Sequence, residues 1–144
     1  MASPGSFTAG QVLTAAEMNA LPGGLVASAT TAVGTVGGAN PQQVATVTFT
    51  HTAGRELLVM FTANLGFSAN PGTIFAVEIR NNTTRVSYQA VELSTQTVEG
   101  VSTFLNIAAT GSSQTVDVRI AMGTTRTISI ADYAAQLLIL DVGP

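Results

Sequence analysis

The single histidine of the chain, His51, shares it with eight carboxylates: Glu17, Glu56, Glu78, Glu92, Glu99, Asp117, Asp132 and Asp141. A Ser-His-Asp site would have to use His51. It stands in the turn-like stretch His51-Thr52-Ala53-Gly54, and no Gly-x-Ser-x-Gly elbow occurs anywhere. A turn histidine is the reading this supports. Two carboxylates alone could cleave a glycosidic bond. Yet Glu78 and Arg80 fall on the same side of one alternating segment, as do Asp117 and Arg119, so surface ion pairs account for them. Cysteine is absent, which removes thiolate metal sites and thiol nucleophiles. Lysine is absent too, so no phosphate-cradling Gly-x-x-x-x-Gly-Lys loop exists. No His-Glu-x-x-His and no Asp-rich calcium loop is found. Asn81 and Asn82 each open an Asn-x-Thr triplet, read here as turn residues. These residues point to a non-enzyme, with no cofactor and no metal.

Composition narrows the reading further. Charged residues make up 9% of the 144, against roughly 25% in an ordinary soluble domain. The basic residues are Arg55, Arg80, Arg85, Arg119 and Arg126, scattered, with a net charge of −3. That argues against nucleic acid, which requires a basic face. The most apolar run, near Leu137–Leu140, is far shorter than the roughly 20 residues of a membrane helix, so no membrane partner is expected. The N-terminus has no basic region ahead of an apolar run and does not read as a signal peptide. A surface of Thr, Ser, Ala, Asn and Gln suits faces that lie against neighbours, because interface cores are depleted in charge. Strand-forming preference alone would also enrich Thr.

The elements that would position these residues are strands. From residue 25 onward the period is two. Segments 25–31, 44–49, 56–67, 73–80, 85–93, 95–108, 115–122, 127–130 and 133–142 alternate or run apolar, with turn residues between them. In the segment 56–67, Leu57, Val59, Phe61, Ala63 and Leu65 share one face. The last segment, almost wholly apolar, belongs mid-sheet or at a subunit interface. The expected fold is all-β: an antiparallel jelly-roll-like sandwich of about eight strands.

Residues 1–24 differ. Thr14-Ala15-Ala16-Glu17 fits a capping box, Leu13 and Met18 fit a hydrophobic staple, and Pro22 ends the helix. Gly23-Gly24 reads as a flexible exit. Two turns of helix are marginal in isolation and must dock on something. The expected organisation is a docking arm, 1–24, followed by a β domain, 25–144. The docking residues are Phe7, Val12, Leu13, Thr14, Glu17, Met18 and Leu21.

The arm residues Phe7, Ala9, Gly10, Val12, Leu13, Thr14, Ala15, Ala16 and Asn19 resemble an N-terminal segment common in virion proteins of tailed bacteriophages, particularly those of actinobacterial hosts. The C-terminal Asp141, Gly143 and Pro144 resemble the Asp-x-Gly-Pro ending of the same proteins. The resemblance implies a virion structural protein whose partners are the major capsid protein or another virion protein, and which forms a homo-oligomer, by preference a trimer. It implies a virion location, on the capsid surface or on the tail. The leading expectation is a capsid decoration protein docked on the phage head through its arm. The alternative is a minor tail or fibre protein that binds host-surface glycans through loops such as 34–43, 66–72 or 109–114. A jelly-roll hydrolase ranks third.

Overall fold

The computed structural model describes residues 23–36, 40–67, 74–92, 98–122 and 127–144. The arm residues Phe7 to Leu21, and with them the expected helix, lie outside the described residues. The described residues form ten strands: β1 (Gly24–Thr31), β2 (Gly34–Val36), β3 (Gln42–Thr50), β4 (Glu56–Phe67), β5 (Ile74–Asn81), β6 (Thr84–Glu92), β7 (Val98–Ala108), β8 (Ser113–Met122), β9 (Ile128–Ile130) and β10 (Ala135–Gly143).

Every pairing is antiparallel. In the first sheet β10 and β9 lie end to end along one edge of β4, against Leu57–Thr62 and Leu65–Phe67 respectively. In turn β1 lies along β10 and β2 along β9. So β1 with β2, and β9 with β10, are two interrupted strands, and β7 pairs the other edge of β4. The second sheet has the order β3-β8-β5-β6. Counted this way there are two sheets of four strands, and the expected eight-stranded jelly-roll sandwich is what the chain adopts.

The connectivity has a simple physical form. Asn81 pairs with Thr84, Phe75 with Val91, Leu57 with Ile107, Phe49 with Gln114 and Gly24 with Asp141. These partners are nearly symmetric about the turn at Asn82-Thr83. The chain is one long hairpin, bent and rolled so that β10 also meets β4 and β5 also meets β8. The turn is a two-residue connection with both central φ values positive, 48° and 74°, the twist that matches a hairpin. Asn82 donates its N–H to the Thr115 carbonyl at 2.8 Å, and its side-chain oxygen accepts from the Thr115 N–H at 2.7 Å. Those bonds fix the tip to β8.

The core lies between the sheets and follows the alternation read from the sequence. Leu57, Val59, Phe61, Ala63 and Leu65 all face inward from β4. Phe75, Val77 and Ile79 meet them from β5, and Val116, Val118 and Ile120 from β8. Each fully buried apolar side chain contributes about 1.5–3 kcal/mol. Gln114 is a polar side chain fully sealed into this layer. Its oxygen accepts from the Thr110 N–H at 2.9 Å and its amide donates to the Ala108 carbonyl at 3.0 Å, closing the β7–β8 turn. The last strand is mid-sheet, between β1 and β4. It starts at Ala135, not at Tyr133 as the apolar run implied, because Asp132 takes a positive φ of 60° and breaks the strand.

Candidate functional site

Three regions outside the core carry chemistry: the root of the arm and the two outer faces.

At the root, Gly24 pairs with Asp141 across β1 and β10, and the β3–β4 turn brings His51 and Arg55 to the same place. Asp141 is buried. Its Oδ2 accepts from Arg55 Nη2 at 2.8 Å, Arg55 Nε at 3.0 Å and His51 Nε2 at 2.9 Å. Its Oδ1 accepts from the Gly143 N–H at 2.9 Å. Burial pushes the Asp141 carboxyl upward. The hydrogen bonds from Arg55, His51 and Gly143, with the Arg55 charge, outweigh burial and hold it at about 2. His51 is therefore more than a turn residue. It is half-buried and, as a donor to a carboxylate, carries its proton on Nε2.

The root also corrects the expectation of a flexible exit. A Cβ on Gly23 would meet Asp141 Oδ2 at 2.5 Å, and Gly24 has a φ of +76°. A side chain at Gly23 would displace the carboxylate, and the left-handed backbone at Gly24 favours glycine. The arm departs from a fixed point.

The outer face of the β3-β8-β5-β6 sheet is ionic. Glu78 lies opposite Arg119, and Arg80 opposite Asp117, a checkerboard of alternating charge across β5 and β8. Arg80 Nη2 donates to Glu78 Oε2 at 2.8 Å, Arg85 Nη1 to Glu78 Oε1 at 3.3 Å, and Arg119 Nε to Asp117 Oδ2 at 2.7 Å. The guanidinium of Arg85 lies 4.9 Å from the ring centre of Tyr88. The pairs read from strand alternation are present. Their carboxylates are buried, though, and are not the solvated surface groups expected, because the long arginine stems lie over them.

The outer face of the β1-β10-β4-β7 sheet is the opposite. Across the register, Leu25, Leu140 and Leu58 form one row, and Leu138, Met60 and Phe104 the next. Leu25 is 60% and Phe104 75% exposed. Beyond them the face turns polar but stays uncharged, through Thr62, Asn64, Ser102 and Gly100. The only carboxylate among the outward positions of these strands is Glu56, at the rim. Where β9 breaks before β10, Tyr133 stands over the polar end, 75% exposed. Thr62, Asn64, Gly100, Ser102 and Tyr133 surround a shallow hollow of about 280 Å³.

None of the seven arm residues proposed for docking can be placed, because all lie outside the described residues. Sequence reading missed the Asp141–Arg55–His51 cluster, whose members are separated by nearly the whole domain. It missed the apolar outer face as well. One signal was available: Leu57-Leu58-Val59-Met60-Phe61 is apolar on both faces of one strand, as a strand covered on both sides reads. Among the described residues, no group of three His, Cys, Asp or Glu could hold a metal ion.

No family model matches the chain, and no curated protein does. Among solved structures it is similar to dimeric latent PorU from Porphyromonas gingivalis, with a TM-score of 0.52 and 11% identity over 94% of this chain. It spans only 14% of that chain. A C-terminal domain of EclA, described as a sugar-binding protein, overlaps at a TM-score of 0.42 with 19% identity, over 81% of this chain and 76% of that one. A CBM4 structure overlaps at 0.40 with 14% identity, over 88% and 82%. At these identities the likeness is one of fold.

Proposed function

We propose that this chain is a non-enzymatic structural subunit of a phage virion, a decoration protein that docks on the head through residues 1–22 and packs against sister copies through its uncharged sheet face. The observation that carries the reading is that face. Leu25, Leu58, Met60, Phe104, Leu138 and Leu140 form a contiguous apolar patch with no charge inside it. Patches of this kind on a folded domain mark interaction surfaces. The patch borders Gly23 and Gly24, the residues that follow the proposed anchor in the chain.

Two further features support it. Among the described residues no strand covers the free edge of β7, eleven residues long and without Lys or Pro to guard it. The resemblance at both chain ends is to virion proteins, and the Asp141 and Gly143 that carry it at the C-terminus also lock the arm's root. A subunit that binds only the assembled shell stabilises it by mass action.

The test is the copy number of this chain per purified particle, by quantitative mass spectrometry against the major capsid protein. Copies comparable in number to the capsid subunits are expected. A small fraction of that number would place the chain in the tail, and none would overturn the reading. Deleting residues 1–22 is expected to leave the β domain folded and to abolish attachment.

A further inference from the structure

We propose that the hollow beneath Tyr133, at the polar end of the same sheet face, is a subsite for one ring of a neutral pyranose sugar. The inference rests on the hollow's own geometry and is independent of the assembly reading. The hollow lies at the end of the sheet away from the arm's root.

The strand interruption is what makes it. β10 stops pairing with β4 at Thr62, and β9 resumes at Leu65. Between them the chain leaves the sheet plane. The Ala131 N–H still donates to the Asn64 carbonyl at 2.8 Å, and the Tyr133 N–H to the Ala131 carbonyl at 2.6 Å. With Asp132 at a φ of 60°, this tight loop is tied to β4 at its base and projects the Tyr133 ring beside the sheet. A regular strand here would have turned Tyr133 into the ladder. Gly100 keeps the floor open: a Cβ there would come within 3.4 Å of Asn64 Oδ1.

The chemistry of the lining selects the ligand. No charged side chain lines the hollow, so a phosphate, a carboxylate or a cation would lose its hydration without a counter-charge. Thr62 and Ser102 each offer a hydroxyl that donates and accepts, and Asn64 offers both an amide donor and an acceptor. Tyr133 adds an apolar ring face with a polar tip. A pyranose has the matching form, with a face of C–H bonds and a rim of hydroxyls. The volume, about 280 Å³, is at the small end of ligand sites, room for one ring and not for a chain of them. The hollow is shallow, so a single ring binds weakly.

The experiment is an NMR titration of the isotope-labelled full chain with a panel of methyl glycosides: glucoside, galactoside, mannoside, rhamnoside and N-acetylglucosaminide. At least one is expected to shift amides at 62–64, 100–102 and 131–134. The Tyr133→Ala variant is expected to weaken that sugar about tenfold, while Tyr133→Phe, which keeps the ring, retains it. Tyr88→Ala, on the opposite sheet, is expected to change nothing. Because Tyr133 is exposed, an unaltered melting temperature will show that Tyr133→Ala is folded. No shift in these segments with any of the five sugars overturns the proposal. So do shifts that persist unchanged in Tyr133→Ala.

Discussion

On the outside of the β3-β8-β5-β6 sheet, the two buried carboxylates, Glu78 and Asp117, are each held by arginines. On the outside of the β1-β10-β4-β7 sheet there is no carboxylate to hold, except Glu56 at the rim. The first of these faces satisfies itself. Its charges pair with one another, although Ile74 and Tyr88 on the same sheet stay exposed. The second leaves Leu25 and Phe104 60% and 75% exposed among the described residues. Two sheets with a common core thus differ in their outer faces, and the proposed contact surface is the uncharged one.

The largest expected loss of stability lies outside both faces, at the buried Asp141 of β10. Asp141→Ala removes the buried carboxylate that Arg55, its side chain only 11% exposed, and His51 both hold. Removing one partner of a buried pair costs about 3–5 kcal/mol, read as a shift in the denaturant midpoint with unchanged slope. The same group sets an acid limit. The Asp141 carboxyl lies near 2 in the folded chain against 3.8 in an ordinary aspartate. Its pKa is depressed on folding, so its stabilisation is complete above 3.8 and fades as pH falls through that value toward 2. The loss is on the order of 2 kcal/mol. Denaturation curves across that range are expected to show it in the parent chain and not in Asp141→Asn.

Glu78→Ala is expected to cost less, about 1–2 kcal/mol, because Arg80 and Arg85 are exposed enough to turn to water. A cost equal to that of Asp141→Ala would mean that the ionic face is as closed as the root. The smallest stability effect is expected on the uncharged face. Phe104→Asp should change stability by no more than about 0.5 kcal/mol, since the ring is already in water. Yet it should abolish self-association in sedimentation measurements. Association that survives Phe104→Asp, or that falls steeply with added salt, would move the contact to the charged sheet.

The elements with the clearest alternation were legible from the sequence. The segment 56–67 was bounded correctly, and its five inward residues named, because one buried face writes a period of two directly into the residue types. The turn expected to include Asn81 and Asn82 falls at Asn82-Thr83, with Asn81 closing β5 opposite Thr84, and the pairs Glu78–Arg80 and Asp117–Arg119 were legible for the same local reason. The cluster at Asp141 was not. His51 and Arg55 stand 90 and 86 positions away from it, and only the rolling of the hairpin brings them to one carboxylate. Tyr133 was misread as strand because Tyr-Ala-Ala continues the apolar run. The backbone at Asp132, a property of the loop and not of the pattern, took it out of the sheet.

By itself the sequence determined the class of fold and the inward face of each long strand, because burial and the pleat act on neighbours along the chain. It also determined the scarcity of charge, and with it the need for polar surfaces built of Thr, Ser and Asn. Only the tertiary structure decided where that scarcity falls. Register set Glu78, Arg80, Asp117 and Arg119 together on the outer face of one sheet and left Leu25, Met60, Leu138 and Phe104 near one another on the outer face of the other. Neighbours on a sheet face are set by pairing between strands dozens of residues apart, and no local pattern carries that information.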